Sequence, residues 1–469
     1  MNAPTANSAS AAGLTRPAFA LREAHAHLLA YGQSFVTPSL ALCTSLAECL
    51  ALIRDAAAKA KVNGRGQGNW FKFAAAHNND WPEARWPTPA ELEAAAGGLP
   101  CVVMSFDHHT AVCNLAALEA AELKPGQAAG SNGLVEVDEA GEFTGVLHEQ
   151  AAHKVWGAGP EPTHEQMREG LSRALAKLGA MGFVEVHDML SPPLLPRLLT
   201  ELATAGVVLP KVRMYCGPEH ADEFVRTQGQ WPEGLVFGGM KLFADGTLSS
   251  RTALMVHRYS EPLAGASRGR CMTAPGAIGQ TLARCHEIGV GLAVHAIGDG
   301  AVKMVLDCVE RLDGQLGSAP RRCRVRIEHA EIVDKPDVTR FVRLKVDCSV
   351  QPCHLLCDVE SLKRFVPHRL DRVLPLRELL DAGLVPGRLG VDAAAGDGPG
   401  DDVEAVCTAP AGLVFGSDVP IVRAEPEDSV YAAVYRRRAN MSGGEALAPG
   451  QAISEAEAWR CFAAPVRTS

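Results

Sequence analysis

His25 and His27 stand at i and i+2 in the run REAHAHLL. On a strand that spacing turns both imidazoles to one face, where a single metal ion could take them. Alone, the pair fits surface or packing histidines equally well. Three more residues strengthen it: His295 closes the apolar run Val290–Val294, His329 closes Val325–Glu328, and Asp418 follows Leu413–Ser417. Four histidines and one carboxylate from four strands form a divalent ligand set suited to zinc. Lys241 belongs to the same pattern, since it follows Phe237–Met240. A buried ammonium is costly unless paired or chemically changed. A salt bridge to Asp245 or Asp418 would satisfy it. So would carboxylation by carbon dioxide, which would make it an anionic oxygen bridge between two metals. A further metal set around Cys353, His354 and Cys357 lacks third and fourth ligands at nearby spacing.

Those residues need elements that bring them to one place. Thr163 and Gln166 form a capping-box pair, and Met167, Leu171, Leu175 and Leu178 recur at helical spacing until Gly179. Phe183–Asp188 follows as a strand. The same helix-then-strand order recurs with Ile278, Leu282 and Cys285 before Gly289, and with Val302, Val305, Leu306 and Val309 before Val325–His329. Asp334 and Pro336 open one more helix, leading into Val346–Gln351. Alternation of this kind implies parallel pairing through βαβ units. Strands are expected before His25 and near 183–187, 208–215, 235–243, 290–295, 324–329, 345–350 and 411–417. Eight strands close a (β/α)8 TIM barrel, whose active sites lie at the C-terminal strand ends. A doubly wound sheet is the alternative, but no G-x-G-x-x-G follows an early strand.

The spacing places an insertion at about residues 32–162, between the first and second strands. Within it, Trp70–Phe73 and Cys101–Phe106 read as strands and Leu115–Leu123 as a helix. Residues 1–18 read as a disordered tail, 19–460 as the barrel with its insertion, and 461–469 as a C-terminal tail. Residues 390–402 form a flexible acidic loop.

The 469-residue chain is 47% hydrophobic and 21% charged, enough to bury a sizeable core. Its 45 basic and 54 acidic residues give a net charge of -9, which argues against nucleic-acid partners. No apolar run spans a bilayer. The 14 cysteines are scattered without C-x2-C frames and read as buried small hydrophobes of a reducing, cytoplasmic compartment.

HxH on strand one, Lys on four, His on five, His on six and Asp on eight resembles the amidohydrolase superfamily, and in particular its YtcJ-like branch, amidohydrolase family 3. The phrases that carry the resemblance are KLFADGTLSSRTALM (241–255), HAIGDGAVKMVLDCVE (295–310), RIEHAEIVD (326–334), VQPCHLLCD (350–358) and FGSDVP (415–420). Weaker echoes are FDHHTAVCNLAAL, FTGVLHE and VEVHDM. The resemblance implies a metal-dependent hydrolase of a small molecule. His25, His27 and Asp418 would hold the more buried metal, and carboxylated Lys241 would bridge to a second held by His295 and His329. Asp418 would also take a proton from the nucleophilic water and pass it to the leaving nitrogen. The implied cofactors are one or two zinc ions and the carbon dioxide on Lys241. Arg251, His354, Asp245 and Asp299, near strand ends, are candidates to orient substrate, against ordinary structural bonding. His187 and Asp188 end the second strand, where a rim hydrogen bond is equally open. His109, with Asn114, matches a family motif in the insertion and is a candidate to reach over the pocket.

The expected reaction is hydrolysis of a carbon–nitrogen bond in a non-peptide amide, formamide or cyclic amide. Ester or lactone hydrolysis by the same site is the alternative, and a catalytically inert binding barrel a third. Two departures from the family stand out. The companion β-sandwich is expected to be largely absent, leaving a flank either more polar than usual or buried in a subunit contact such as a homodimer. Glu23 also stands where the family usually has Asp.

Overall fold

The computed structural model describes residues 14–35, 37–62, 70–106, 108–130, 133–263, 265–393 and 403–465. Most of the expected N-terminal tail, the end of the C-terminal one and most of the acidic loop lie outside them. Two compact units divide the chain: residues 1–32 with 171–469, and residues 33–170.

The larger unit is built on nine strands: β1 (Leu21–Ala26), β2 (Phe183–Met189), β3 (Lys211–Cys216), β4 (Leu235–Phe243), β5 (Gly291–Ala296), β6 (Val325–His329), β7 (Asp347–Val350), β8 (Val385–Pro386) and β9 (Gly412–Phe415). Their order in the sheet is β1-β2-β3-β4-β5-β6-β7-β9-β8, and every neighbouring pair is parallel. Eight coincide with the strands expected from apolar runs. The ninth, β8, has two residues, too short for any periodicity to mark.

The sheet is curled. Ala26, at the end of β1, forms a parallel bridge with Val419, just beyond β9. Asp418 N–H donates to His25 O at 2.7 Å, and His27 N–H to Val419 O at 2.9 Å. Gly416 allows this approach, because a Cβ there would lie 2.5 Å from His25 N.

Helices follow the strands as the sequence pattern requires. Pro275–Ile288 buries Ile278, Leu282 and Cys285 and stops at Gly289, whose φ of 70° suits a left-handed cap. Asp299–Leu316 buries Val302, Val305, Leu306 and Val309. The strands themselves are buried almost throughout, as a parallel sheet covered by helices demands.

The smaller unit holds a six-stranded sheet. Its order is Phe71–Ala76, Cys101–Ser105, Thr110–Cys113, Phe143–His148, Gly133–Val137 and Ala128–Ala129. Only the first pair is parallel; the others are antiparallel. Alternate residues of Cys101–Ser105 enter two different apolar clusters, Cys101 and Val103 in one, Val102 and Met104 in the other.

Candidate metal centre

The strand order carries the site. Ala26, Phe243, Ala296 and His329 all lie at C-terminal strand ends, where register pairs Phe243 with His295 and Ala296 with His329. The curl of the sheet brings β1 to the segment after β9, so that His25 and His27 meet Asp418. His27 Nε2 lies 3.0 Å from Asp418 Oδ1, and His25 Nε2 lies 3.4 Å from the same oxygen. The His25 ring centroid is 4.8 Å from that of His329, which is 4.5 Å from that of His295. His25, His329, His295 and Asp418 are all buried.

Ligand-bearing atoms converge here in two overlapping triads. His25, His27 and Asp418 have ligand atoms within 4.8 Å of one another, and so do His329, His354 and Asp418. A third triad of Glu331, His354 and Asp358 stands behind His354. None of the three triads includes Cys353 or Cys357.

The protonation states of His25 and His329 suit metal ligands, whereas His27, although burial opposes its charge, is raised by its hydrogen bond to Asp418 and the charges of Asp418 and Asp188. Burial pulls the His25 imidazole down to about 4, and burial together with His295 and His25 keeps His329 well below its ordinary range. Both rings are therefore neutral, with a lone pair to offer. Burial alone would raise Asp418, but His25, His27 and His329 hold it well below the usual carboxylate range. His354 goes the other way. Burial opposes its charge, yet the hydrogen bond to Glu331 and the nearby Asp418 raise it to about 9. His354 Nδ1 lies 3.3 Å from Glu331 Oε1, and its Nε2 faces Asp418 Oδ2 at 3.7 Å.

Lys241 sits at the same end of β4, 2% exposed, and its Nζ has no hydrogen-bond partner among the described residues. Burial lowers its amine to about 8. Its charge bears on His25, His27 and His329, and Nζ lies 5.2 Å from the Phe243 ring centroid. Buried polar atoms are nearly always satisfied. Lys241 Nζ, His329 Nδ1 and His354 Nε2 are exceptions among the described residues. His329 and Asp418 also have left-handed backbone, with φ 72° and 65°.

The candidate orienting residues divide differently. Asp245 is taken up by backbone: Oδ1 accepts from Ile297 N–H at 3.0 Å, and Oδ2 from Leu254 N–H at 2.7 Å and Gly298 N–H at 2.9 Å. It thereby ties the chain after β4 to the chain after β5, where His295 Nε2 is 3.1 Å from Gly246 O. Asp299 accepts from Val256 and Gly300 N–H and lies 2.8 Å from Arg369 Nη2. Arg251 has φ 57°, donates from Nη1 to Glu261 O at 3.3 Å and stacks over the Phe365 ring at 5.3 Å. His109 lies in the smaller unit, with Nδ1 2.7 Å from Glu149 Oε2. Asn114, in the same unit, caps the helix Leu115–Ala120. Asp188 serves the rim of the sheet, accepting from Leu28 N–H and Ser191 Oγ–H.

Two carboxylates near the site are not apparent from motif spacing. Glu328 Oε2 lies 2.7 Å from His25 Nδ1, and Glu331 backs His354. A signal for Glu328 exists in retrospect. Arg326 and Glu328 alternate on one face of a central, otherwise apolar strand, where charged residues are rare unless paired. Glu23, the departure from Asp, is fully buried. Its Oε1 accepts from Ser417 N–H at 2.9 Å and His25 N–H at 3.0 Å, so it clamps the two segments that carry His25 and Asp418.

The sequence profile of the amidohydrolase family matches residues 17–464, and the chain belongs to that family. The putative amidohydrolase YtcJ of Bacillus subtilis is 23% identical over 446 residues, covering 94% of this chain and 77% of the relative. N-substituted formamide deformylase of Arthrobacter pascens is 22% identical over 413 residues, 84% of this chain and 69% of the relative. Among solved structures, an uncharacterized metal-dependent hydrolase from Pyrococcus horikoshii OT3 superposes with a TM-score of 0.67 at 25% identity, covering 95% of this chain and 79% of that one.

Proposed function

We propose that this amidohydrolase is a metal-dependent hydrolase of carbon–nitrogen bonds in small amides, formamides or cyclic amides. The observation that carries the reading is the convergence of His25, His27 and Asp418 beside the buried, unpartnered Nζ of Lys241. In this reading the curled sheet is the (β/α)8 barrel, and residues 33–170 are its insertion after the first strand.

The donor set fits a divalent cation. Neutral imidazoles and an ionised carboxylate are zinc ligands, and Lys241 Nζ and His329 Nδ1 have no hydrogen-bond partner among the described residues. His25, His27 and Asp418 would hold one ion; His295, His329 and Lys241 a second. Lys241 would join as its carbamate, its neutral amine forming an N–C bond to carbon dioxide and losing one proton. A bound ion supplies Lewis acidity, which acidifies water and polarises a carbonyl.

The chain's own residues do the rest. Asp418, held ionised by its imidazole neighbours, accepts the water's proton on a carboxylate oxygen and returns it to the leaving nitrogen. His354 presents Nε2 to the same space and would orient the substrate carbonyl, with Glu331 fixing its ring. Glu23 keeps Asp418 and His25 at a constant separation. Asp245 holds the loop that carries Gly246 against His295, and Arg251 and Asp299 would shape the surrounding pocket.

The test joins metal analysis to a substrate panel. Protein purified without chelator is expected to carry zinc or another divalent metal, and to hydrolyse at least one N-formyl amine, N-acyl amino acid or hydantoin. Chelation should abolish that activity, and zinc or manganese should restore it. Protein that holds no divalent metal, or that turns over only lactones and esters, would overturn the carbon–nitrogen assignment.

A further inference from the structure

Inside the curl of the sheet, below the ligand-bearing rim, lies a line of buried charge that the proposed reaction does not use. Glu185 and His187 lie two apart on β2, and Arg326 and Glu328 two apart on β6, so each pair shares a face. These strands are not neighbours in the sheet, yet their side chains meet. All four residues are buried.

The hydrogen bonds have a determinate direction. Arginine can only donate, so His187 Nδ1, 2.8 Å from Arg326 Nη1, must accept. His187 therefore carries its proton on Nε2, which donates to Glu185 Oε1 at 2.7 Å. Arg326 also donates from Nε and Nη2 to Glu328, the Nη2 to Oε2 distance being 2.8 Å, and from Nη2 to Ser349 Oγ at 3.0 Å and to Ala24 O. A carboxylate paired with a guanidinium can only accept. His25 Nδ1, 2.7 Å from Glu328 Oε2, is thus the donor. His25 is left with its proton on Nδ1 and its lone pair on Nε2, the nitrogen that faces Asp418.

We propose that Glu328 is the positioning residue for His25, and that Arg326, His187 and Glu185 exist to hold Glu328. The line from Glu185 to His25 locks one tautomer and one ring orientation, presenting Nε2 to a divalent cation. A buried ionic network is a poor source of stability, since apolar residues of similar volume often serve as well or better. Its four groups instead end on the one ring nitrogen whose protonation decides whether His25 can be a ligand. This inference rests on the metal-dependent reading above.

Titration of metal-free protein with cobalt(II), followed by its visible ligand-field absorption, tests it without any substrate. His25→Ala marks complete loss of the ligand. Glu328→Gln, which keeps size but removes the charge, is expected to weaken cobalt binding about 10–100-fold and to change the absorption spectrum. Glu328→Asp should recover part of the affinity, and His187→Gln should show a smaller weakening, because it acts through Arg326. A folded Glu328→Gln protein, judged by circular dichroism, that binds cobalt as tightly as wild type with the same spectrum would overturn the proposal. If Glu328→Gln does not fold, His187→Gln decides by the same criterion. Wild-type protein that takes up no cobalt, and matches His25→Ala throughout the titration, would instead bring down the metal-dependent reading and this inference with it.

Discussion

The two ends of the curled sheet treat buried charge in opposite ways. At the N-terminal end, Asp347 opens β7 beside Arg324, just before β6. Asp347 accepts from Arg324 Nη2 at 2.8 Å and Nε at 2.9 Å, and from the N–H groups of Gly412 at 2.9 Å and Gly390 at 3.1 Å. Arg324 also donates to the carbonyls of Ala409 and Pro410. At the C-terminal end, Lys241 Nζ, His329 Nδ1 and His354 Nε2 are just as deeply buried and have no hydrogen-bond partner among the described residues. The satisfied end staples strands together. The unsatisfied end holds desolvated groups in readiness, which is tolerable only where something else completes them.

That contrast can be broken by substitution at each end. Asp418→Asn should cost about 10²–10⁴-fold in turnover of whichever substrate the panel identifies, the range for loss of a positioned acid–base group. Its thermal unfolding without metal should barely change. Asp347→Ala should do the reverse, lowering stability by about 3–5 kcal/mol because it strands the buried Arg324 charge. Activity per folded molecule should stay at the wild-type level. Urea unfolding and steady-state rates on the same preparations read both effects, and a variant that moved both quantities together would erase the distinction between the two ends.

Legibility in the sequence follows the same division. Strand ends were readable where a metal-type residue closes a mainly apolar run, as His295 does after Val290–Val294 and Asp418 just after Leu413–Phe415. Eight strands were readable for the same reason, and two-residue β8 was not. Partners were harder. Nothing in local spacing says that Asp245 is consumed by Ile297, Gly298 and Leu254 N–H, because the first two donors lie in the loop after β5 and Leu254 is further along the irregular segment after β4. The partner of Glu328 has no local signal either, because His25 is far away in the sequence, on β1. The smaller unit was read through two of its six strands, because its short antiparallel strands lack the helix that punctuates each βαβ repeat.

Metal itself should sharpen the comparison. A ligand that binds only the folded state stabilises it by about 2.7 kcal/mol at one hundred times its dissociation constant. Zinc or cobalt should therefore raise the unfolding midpoint of wild-type protein and of Asp347→Ala alike. His27→Ala should lose most of that increment, since His27 and Asp418 belong to the same triad. An equal increment in His27→Ala would move the cation away from that triad.

The smallest expected effect is the most discriminating. Lys241→Met replaces a buried amine with an apolar chain of similar length. Had Lys241 been a structural cation like Arg324, its removal would strand carboxylates and destabilise the protein by several kcal/mol. Its Nζ has no hydrogen-bond partner among the described residues, the Glu328 and Asp418 charges favour it without a hydrogen bond, and the Phe243 ring at 5.2 Å offers an attraction of only about 0.5–1 kcal/mol. Relief of an unsatisfied buried polar group is worth about 1–3 kcal/mol. The metal-free variant should thus be as stable as metal-free wild type or about 1 kcal/mol more so in urea, while its capacity for a second metal ion falls. Stability lost instead of gained would mean that Lys241 belongs with the stapling charges of the opposite end.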